Sequence, residues 1–112
     1  MGKYNLGEFE EIVMLTVAIL GNDAYGYGII DEMEQRLKRS VSIGALQQVL
    51  KRLEQKGYLK SELGEATGIR GGKKKRYFHL TNTGKEILER TKEQRQGLWD
   101  AIPAFELKYV VE

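Results

Sequence analysis

The sequence predicts a mainly α-helical fold with one small β-hairpin. Three stretches with apolar residues at helical spacing precede Gly57, two short alternating stretches follow it, and a fourth helical stretch runs to Pro103. This order is that of a winged helix-turn-helix domain, whose wing is the hairpin, with an added C-terminal dimerisation helix. The 112 residues suffice for one compact unit. Within it we assign residues 1–82 to the winged-helix domain and residues 83–112 to the dimerisation helix and tail.

The first predicted helix covers residues 6–20 and is apolar around almost its whole circumference. Asn5 and Glu8 resemble a capping box at its start. A helix that is apolar all round must be covered on more than one side. We therefore expect one side of it to face a second copy of the chain, through Phe9, Val13 and Val17.

Two shorter helices are predicted next, over residues 26–39 and 43–56. The turn Gly21-Asn22-Asp23 precedes the first, while Ser42 and Gly57 are a suitable N-cap and C-terminal stop for the second. The buried stripes are Ile29, Ile30, Met33 and Leu37 in the first helix and Ile43, Leu46, Val49, Leu50 and Leu53 in the second. The polar face of the second helix makes it the expected recognition helix.

Residues 58–63 and 74–80 alternate in polarity and are predicted to pair as the hairpin. The side chains expected to turn inward are Leu59, Leu63, Phe78 and Leu80. Thr81 and Gly84 then begin a long helix that ends at Pro103. One chain cannot cover both this helix and the first, so a second should supply the missing face. From this last helix, the residues expected at the interface between the two chains are Ile87, Leu88, Leu98, Trp99 and Ile102. The tail, 104–112, is compatible with either a short strand or a short helix.

Positive charge is concentrated in one part of the chain. The window 51–76 holds nine of the 18 basic residues and three of the 16 acidic ones, so it carries +6 while the rest carries −4. A basic helix followed by a basic hairpin tip is typical of a nucleic-acid-binding module. The expected DNA contacts are Ser42, Gly44, Gln47, Gln48, Lys51 and Arg52 from the helix and Arg70, Lys73, Lys74, Lys75 and Arg76 from the wing.

These residue types have distinct expected roles. Gln48 and Lys51 are in the middle of the exposed helix face, and Gln and Lys can pair with adenine and guanine edges. Ser42 and the helix start suit a phosphate contact, and Gly44 lets the helix lie close to the DNA. Five basic residues among the seven of 70–76 would repel one another unless a polyanion neutralised them, which favours phosphate contact. For the helix alone, a merely solvated polar face is the alternative.

The sequence offers little for other classes of function. It has no cysteine and a single histidine, His79, so neither a metal site nor a Cys-His pair is expected, and no catalytic residues or cofactor are predicted. The glycines fit neither a P-loop nor a dinucleotide fingerprint. The longest apolar run is about half the length that crosses a bilayer, and no signal peptide opens the chain, so we expect a cytoplasmic protein without a membrane partner.

Six segments together resemble the PadR-like transcriptional regulators. In order they are 6–10, 23–29, 44–46, 50–59, 70–78 and 80–84. Each is weak alone, but the set is specific and the resemblance covers about 6–88. It implies a prokaryotic homodimeric repressor of double-stranded DNA, with a palindromic or near-palindromic operator, the third helix in the major groove and the last helix dimerising. Gln47 stands where the family usually has Tyr.

The resemblance also bears on the single tryptophan, Trp99. Members of the family often respond to small, commonly aromatic molecules, which makes Trp99 a candidate for binding a planar effector. Its position on the apolar stripe of a terminal helix instead favours an anchor in a filled dimer interface. A winged-helix module that binds only another protein is the alternative to DNA binding, and RNA binding is a weaker option because the exposed helix face lacks stacking aromatics.

Overall fold

A computed structural model describes residues 6–64 and 74–104. It confirms the predicted order of three helices, a hairpin and a final helix. The elements are α1 (Glu8–Leu20), a 3₁₀ turn (Gly21–Asp23), α2 (Gly26–Leu37), α3 (Ile43–Gln55), β1 (Leu59–Leu63), β2 (Arg76–Leu80) and α4 (Asn82–Ala101). We call β1, β2 and the residues between them the wing. The boundaries differ from the predicted ones by one or two residues.

Helix α1 begins at Glu8, and its N-cap is Gly7. The Gly7 amide donates to Oε1 of Glu10 at 3.0 Å, so the carboxylate that closes the first turn belongs to Glu10 and not, as the sequence suggested, to Glu8. Asn5 lies outside the described residues. Helix α3 begins as predicted, since the Ser42 hydroxyl accepts from the Ala45 amide at 3.1 Å.

Helix α1 lies at the centre of the chain's own core. It packs against α2, α3, β2 and α4. The largest fully buried side chains of the core are Met14, Ile29, Met33, Leu46, Leu53, Val13 and Val17. Most of the apolar circumference of α1 is therefore covered within one chain, and its exposed large apolar residues are Leu15 and Ile19, at 45% and 52%.

This arrangement corrects part of the predicted dimer interface. Val13, Val17 and Ile87 are only 0%, 2% and 4% exposed within a single chain, so they have almost no surface to offer a partner. Helical periodicity correctly identified these side chains as buried, but the residues that bury them belong to the same chain. The apolar side chains that remain exposed on α1 and α4 are the ones available to the predicted interface.

The wing strands pair antiparallel, with Leu59 opposite Leu80 and Leu63 opposite Arg76. Leu59 and Phe78 are buried as expected, but Leu63 is 55% exposed, so its predicted inward packing is wrong. It shares the face of Leu59 by alternation, yet it lies at the far end of the strand, beyond the edge of the core.

Strand β2 also pairs with the segment before α2. The Phe78 amide donates to the Ala24 carbonyl at 2.8 Å, and Tyr25 forms an antiparallel bridge with Tyr77. The Tyr25 and Tyr77 rings meet edge to face at 5.8 Å between centroids. The base of the wing is thus attached to the start of α2 as well as to the end of α3.

Helix α4 starts against the turn that follows α3. Thr81 caps it, accepting from the Gly84 amide at 2.9 Å while donating to the Gly57 carbonyl. Gly84 is buried against the backbone of Tyr58. In contrast, residues 92–101 are all exposed, so the second half of α4 extends from the body of the domain.

Candidate nucleic-acid interface

A groove of about 620 Å³ lies between α3, the start of α2 and the base of the wing. Its floor is apolar and includes Ile43, Leu50 and Phe78. Its rim is polar, and its charged residues are four basic ones and one acidic one. The two elements expected to contact DNA therefore flank one concave surface, on which Lys51 of α3 and Lys74 of the wing both lie although they are 23 positions apart in the chain.

The α3 wall of the groove carries two of the predicted contact residues. Gln47 and Lys51 are four residues apart on a helix, so they project side by side, and both are exposed. Gln48 is exposed on the neighbouring face and does not line the groove. Gly44 and Ser42 are also exposed at the helix start, and a Cβ on Gly44 would meet no described atom within 4 Å. The start of α3 is thus open to close approach by another molecule.

The wing supplies cations to the opposite wall. Lys74 and Lys75 both line the groove and are exposed. The Lys75 ammonium lies 4.2 Å from the centroid of the Tyr25 ring, a cation–π contact that holds it at the rim. The predicted contacts Arg70 and Lys73 lie outside the described residues.

Arg76 also lines the groove but is attached to α3. Its guanidinium donates to the Ser61 hydroxyl at 3.0 Å, and that hydroxyl donates to the Glu54 carboxylate at 2.6 Å. Glu54 is the acidic member of the lining. The chain of bonds joins both wing strands to α3, and it directs part of the Arg76 hydrogen-bonding capacity into the protein.

Arg52 lies on the side of α3 that faces α1. Its Nε donates to Oε2 of Glu10 at 3.1 Å, and Lys56 Nζ donates to the same oxygen at 2.8 Å. Glu10 is only 7% exposed. Burial alone would raise the pKa of its carboxyl, but the hydrogen bonds from Lys56, the Gly7 amide and Arg52 outweigh burial and lower that pKa.

Two features of this surface were missed by sequence reasoning. Tyr27 lines the groove from the first turn of α2 and is 62% exposed, unusual for a large aromatic side chain. Glu10 holds Arg52 across 42 positions of sequence. The signal available was a glutamate whose helical position lies on the buried side of α1, because buried carboxylates are normally paired.

The model of the PadR-like family of transcriptional regulators matches residues 14–90, which span α1 to the first half of α4. The chain belongs to the PadR-like family. It is therefore a DNA-binding transcriptional regulator with a winged-helix fold, as the sequence predicted. No curated sequence matches the chain.

Solved structures of transcriptional regulators, two of them named as PadR proteins, have the same fold. A PadR-like transcription factor from Bacteroides fragilis is 27% identical, with a TM-score of 0.70 over 82% of this chain and 84% of that one. A PadR family regulator from Clostridium difficile R20291 is 30% identical, with a TM-score of 0.68 over 87% and 97%. A transcriptional regulator from Clostridium thermocellum is 26% identical, with a TM-score of 0.67 over 88% and 92%.

A second groove, of about 550 Å³, separates α1 from α4 in this PadR-like chain. Leu15, Leu88 and Trp99 line it, and an ion pair between Glu11 and Arg95, at 2.8 Å, crosses it. Trp99 is 59% exposed. Of the other residues expected at a dimer interface, Leu98 is 71% exposed, whereas Phe9, Leu88 and Ile102 are half-buried.

Other types of site find no support in the described parts of this PadR-like chain. No group of three or more His, Cys, Asp or Glu residues there could hold a metal ion. His79 is paired instead with an exposed carboxylate, since its Nε2 lies 3.3 Å from Oε1 of Glu62 across the hairpin. No helix within 6–64 and 74–104 combines the length and apolar character needed to cross a bilayer.

Proposed function

We propose that this PadR-like chain is a homodimeric repressor that binds a palindromic or near-palindromic DNA operator in a sequence-specific way. The observation that supports it best is the groove whose two walls carry Gln47 and Lys51 from α3 and Lys74 and Lys75 from the wing. Helix α3 enters the major groove, and the wing follows the adjacent sugar-phosphate backbone.

The residues of the interface divide into two roles. Gln47, Gln48 and Lys51 are the base-reading candidates, because amide and ammonium groups match adenine and guanine edges. Ser42 and Gly44 admit the backbone at the start of α3. The cations of the wing contact phosphates and supply affinity without sequence preference. The wing residues in this role are Arg70, Lys73, Lys74, Lys75 and Arg76.

The dimer forms through the apolar side chains that one chain leaves exposed on α1 and α4. Leu15, Leu98 and Trp99 are 45%, 71% and 59% exposed, and exposed aliphatic and aromatic groups of this size favour burial against a partner. A two-fold axis there gives two copies of α3. They fit half-sites about 34–36 Å apart, and repression follows from occupying the promoter.

An effector response is the second part of the proposal. A planar aromatic molecule that enters the α1–α4 groove beside Trp99 changes the dimer geometry, so the two recognition helices no longer match the half-sites. In its absence Trp99 anchors the interface.

The test is capture of genomic DNA by the purified protein, followed by titration of a labelled duplex carrying the recovered sequence. Sequence-specific repression predicts tight, salt-dependent binding to that duplex, weaker binding to a scrambled duplex, and a complex of two chains per operator in sedimentation. Equal affinity for both duplexes would refute sequence-specific recognition. Absence of salt-dependent binding to any duplex would support the protein-interaction alternative.

A further inference from the structure

The first turn of α1 carries three carboxylates, each paired with a different part of the fold. Glu8 pairs with Arg39 beyond α2 at 3.1 Å, Glu11 pairs with Arg95 of α4 at 2.8 Å, and Glu10 pairs with α3. The Glu8 side chain is 74% exposed and that of Glu11 is 17% exposed, whereas that of Glu10 is 9% exposed. Glu10 is thus the most deeply buried of the three.

The two cations that Glu10 holds belong to the recognition helix. Arg52 and Lys56 are one turn apart, and Arg52 is one turn beyond the base-reading candidate Gln48. Their side chains remain 51% and 30% exposed, so neither is enclosed by the core. They sit at the α1 edge of the exposed face of α3. Long side chains at that position could reach a DNA backbone following the helix if nothing held them back.

Glu10 provides that restraint. Its Oε2 accepts from both Arg52 and Lys56, while its Oε1 accepts from the Gly7 amide, so the carboxylate is fixed at both oxygens. Charge-assisted bonds of this kind are stronger than neutral ones, and the buried carboxylate needs its cationic partners in order to remain ionised. Both cations are therefore directed toward α1, although their side chains stay partly exposed.

We infer that Glu10 is a positioning residue that withholds Arg52 and Lys56 from DNA phosphates, and that it thereby limits non-specific binding without touching the base-reading side chains. This inference rests on the proposed DNA recognition by α3, and it reassigns Arg52 from the DNA contacts that the sequence suggested. Phosphate contacts raise the affinity for every sequence alike, so withholding two of them increases the ratio of specific to non-specific binding.

The test uses the full-length variant Glu10→Gln and a fluorescein-labelled mixed-sequence duplex, titrated over a series of salt concentrations. Released cations that reach phosphates steepen the slope of log K against log salt by about 0.9 for each new contact. Over a fourfold change in salt, the resulting gain in low-salt binding relative to wild type is about 3.5-fold for one new contact and about 12-fold for two. The matched control is Glu86→Gln, which removes the same charge from an exposed position on α4 and should leave the slope unchanged.

The converse variant, Arg52→Gln with Lys56→Gln, should bind the mixed duplex with the wild-type slope. If the salt slope of this variant falls by the amount expected for two phosphate contacts, both cations already touch phosphates in the wild type, which overturns the inference. A folded Glu10→Gln protein with the wild-type slope overturns it as well. If circular dichroism shows that Glu10→Gln does not fold, the converse variant decides alone. A wild-type protein that binds no duplex refutes the proposed function itself and is a separate outcome.

Discussion

Two glycines of α4 should respond in opposite ways to the same substitution. Gly84 is buried at the start of the helix, and a Cβ there would lie 3.0 Å from the carbonyl carbon of Tyr58 and closer still to its oxygen. Gly97 is exposed in the second half of the same helix, and a Cβ there would meet no described atom within 4 Å. Gly84→Ala and Gly97→Ala therefore form a matched pair within one helix.

The expected magnitudes follow from two opposing effects. Replacing Gly by Ala inside a helix stabilises it by about 0.8–1.0 kcal/mol. At Gly84 the new methyl group meets backbone that cannot rotate away, and the Tyr58 carbonyl is also held by the Thr81 amide at 3.0 Å. Overpacking of this kind costs about 1–3 kcal/mol or more, so the clash outweighs the gain in helix propensity. At Gly97 there is no clash, so only the gain in helix propensity remains.

The assay is thermal unfolding followed by circular dichroism, at equal chain concentration because dimerisation would also shift the midpoint. About 1 kcal/mol changes Tm by roughly 4–8 °C in a domain of this size. Gly97→Ala should therefore raise Tm by about that amount, and Gly84→Ala should lower it by at least a few degrees. A Gly84→Ala protein as stable as Gly97→Ala would show that α4 does not start tightly against the turn after α3.

Three further results are expected. Replacing the lysines at 73–75 with Ala should weaken binding to every duplex alike and reduce the salt slope by about 0.9 for each lost phosphate contact. An unchanged slope would mean that the wing does not touch DNA. In contrast, Lys51→Ala should cost about 1–3 kcal/mol of binding free energy on the preferred site and relax sequence specificity. Because the folded pKa of Glu10 is lowered, its ionised form adds stability that is complete above the unfolded value, near 4.5, and is lost as pH falls through the lower folded value. The difference in unfolding free energy between wild type and Glu10→Gln should thus be largest near neutral pH, where both cations and the Gly7 amide are paired to the carboxylate, and should shrink in acid. A difference that stays constant with pH would contradict this. Trp99→Ala should shift the protein toward monomer in sedimentation at micromolar concentration, while saturable quenching of this tryptophan by planar aromatics would indicate a ligand pocket there.

Sequence patterns predicted the fold closely because each element depends on local information. Helical spacing located four helices within one or two residues, and glycine or proline positions marked where α1, α3 and α4 stop. The error at Leu63 arose because alternation shows which face a strand residue shares, but not how far the core extends beneath that face. Strand length beyond the core is a property of the assembled domain.

The residues of the candidate site were only partly predictable for a similar reason. Helical periodicity identified Lys51 as exposed and Val13 as buried. It could not show that the cover over Val13 comes from the same chain. Nor could it show that Arg52 is paired with Glu10, because such pairings join positions far apart in sequence. The groove needed three elements to be brought together before Tyr27 could be recognised as part of its lining.

The attachment of strand β2 to the segment before α2 has a consequence for the thermodynamics of DNA binding. The bonds at Ala24 and Tyr25 join the base of the wing to α2, and Arg76 joins it to α3 through Ser61. The groove is therefore assembled during folding, and DNA meets a preformed surface whose backbone order need not be created on binding. A signal that controls the protein cannot easily act by loosening one wall of this groove. Such a signal is expected to move α3, the start of α2 and the wing together, as one rigid unit.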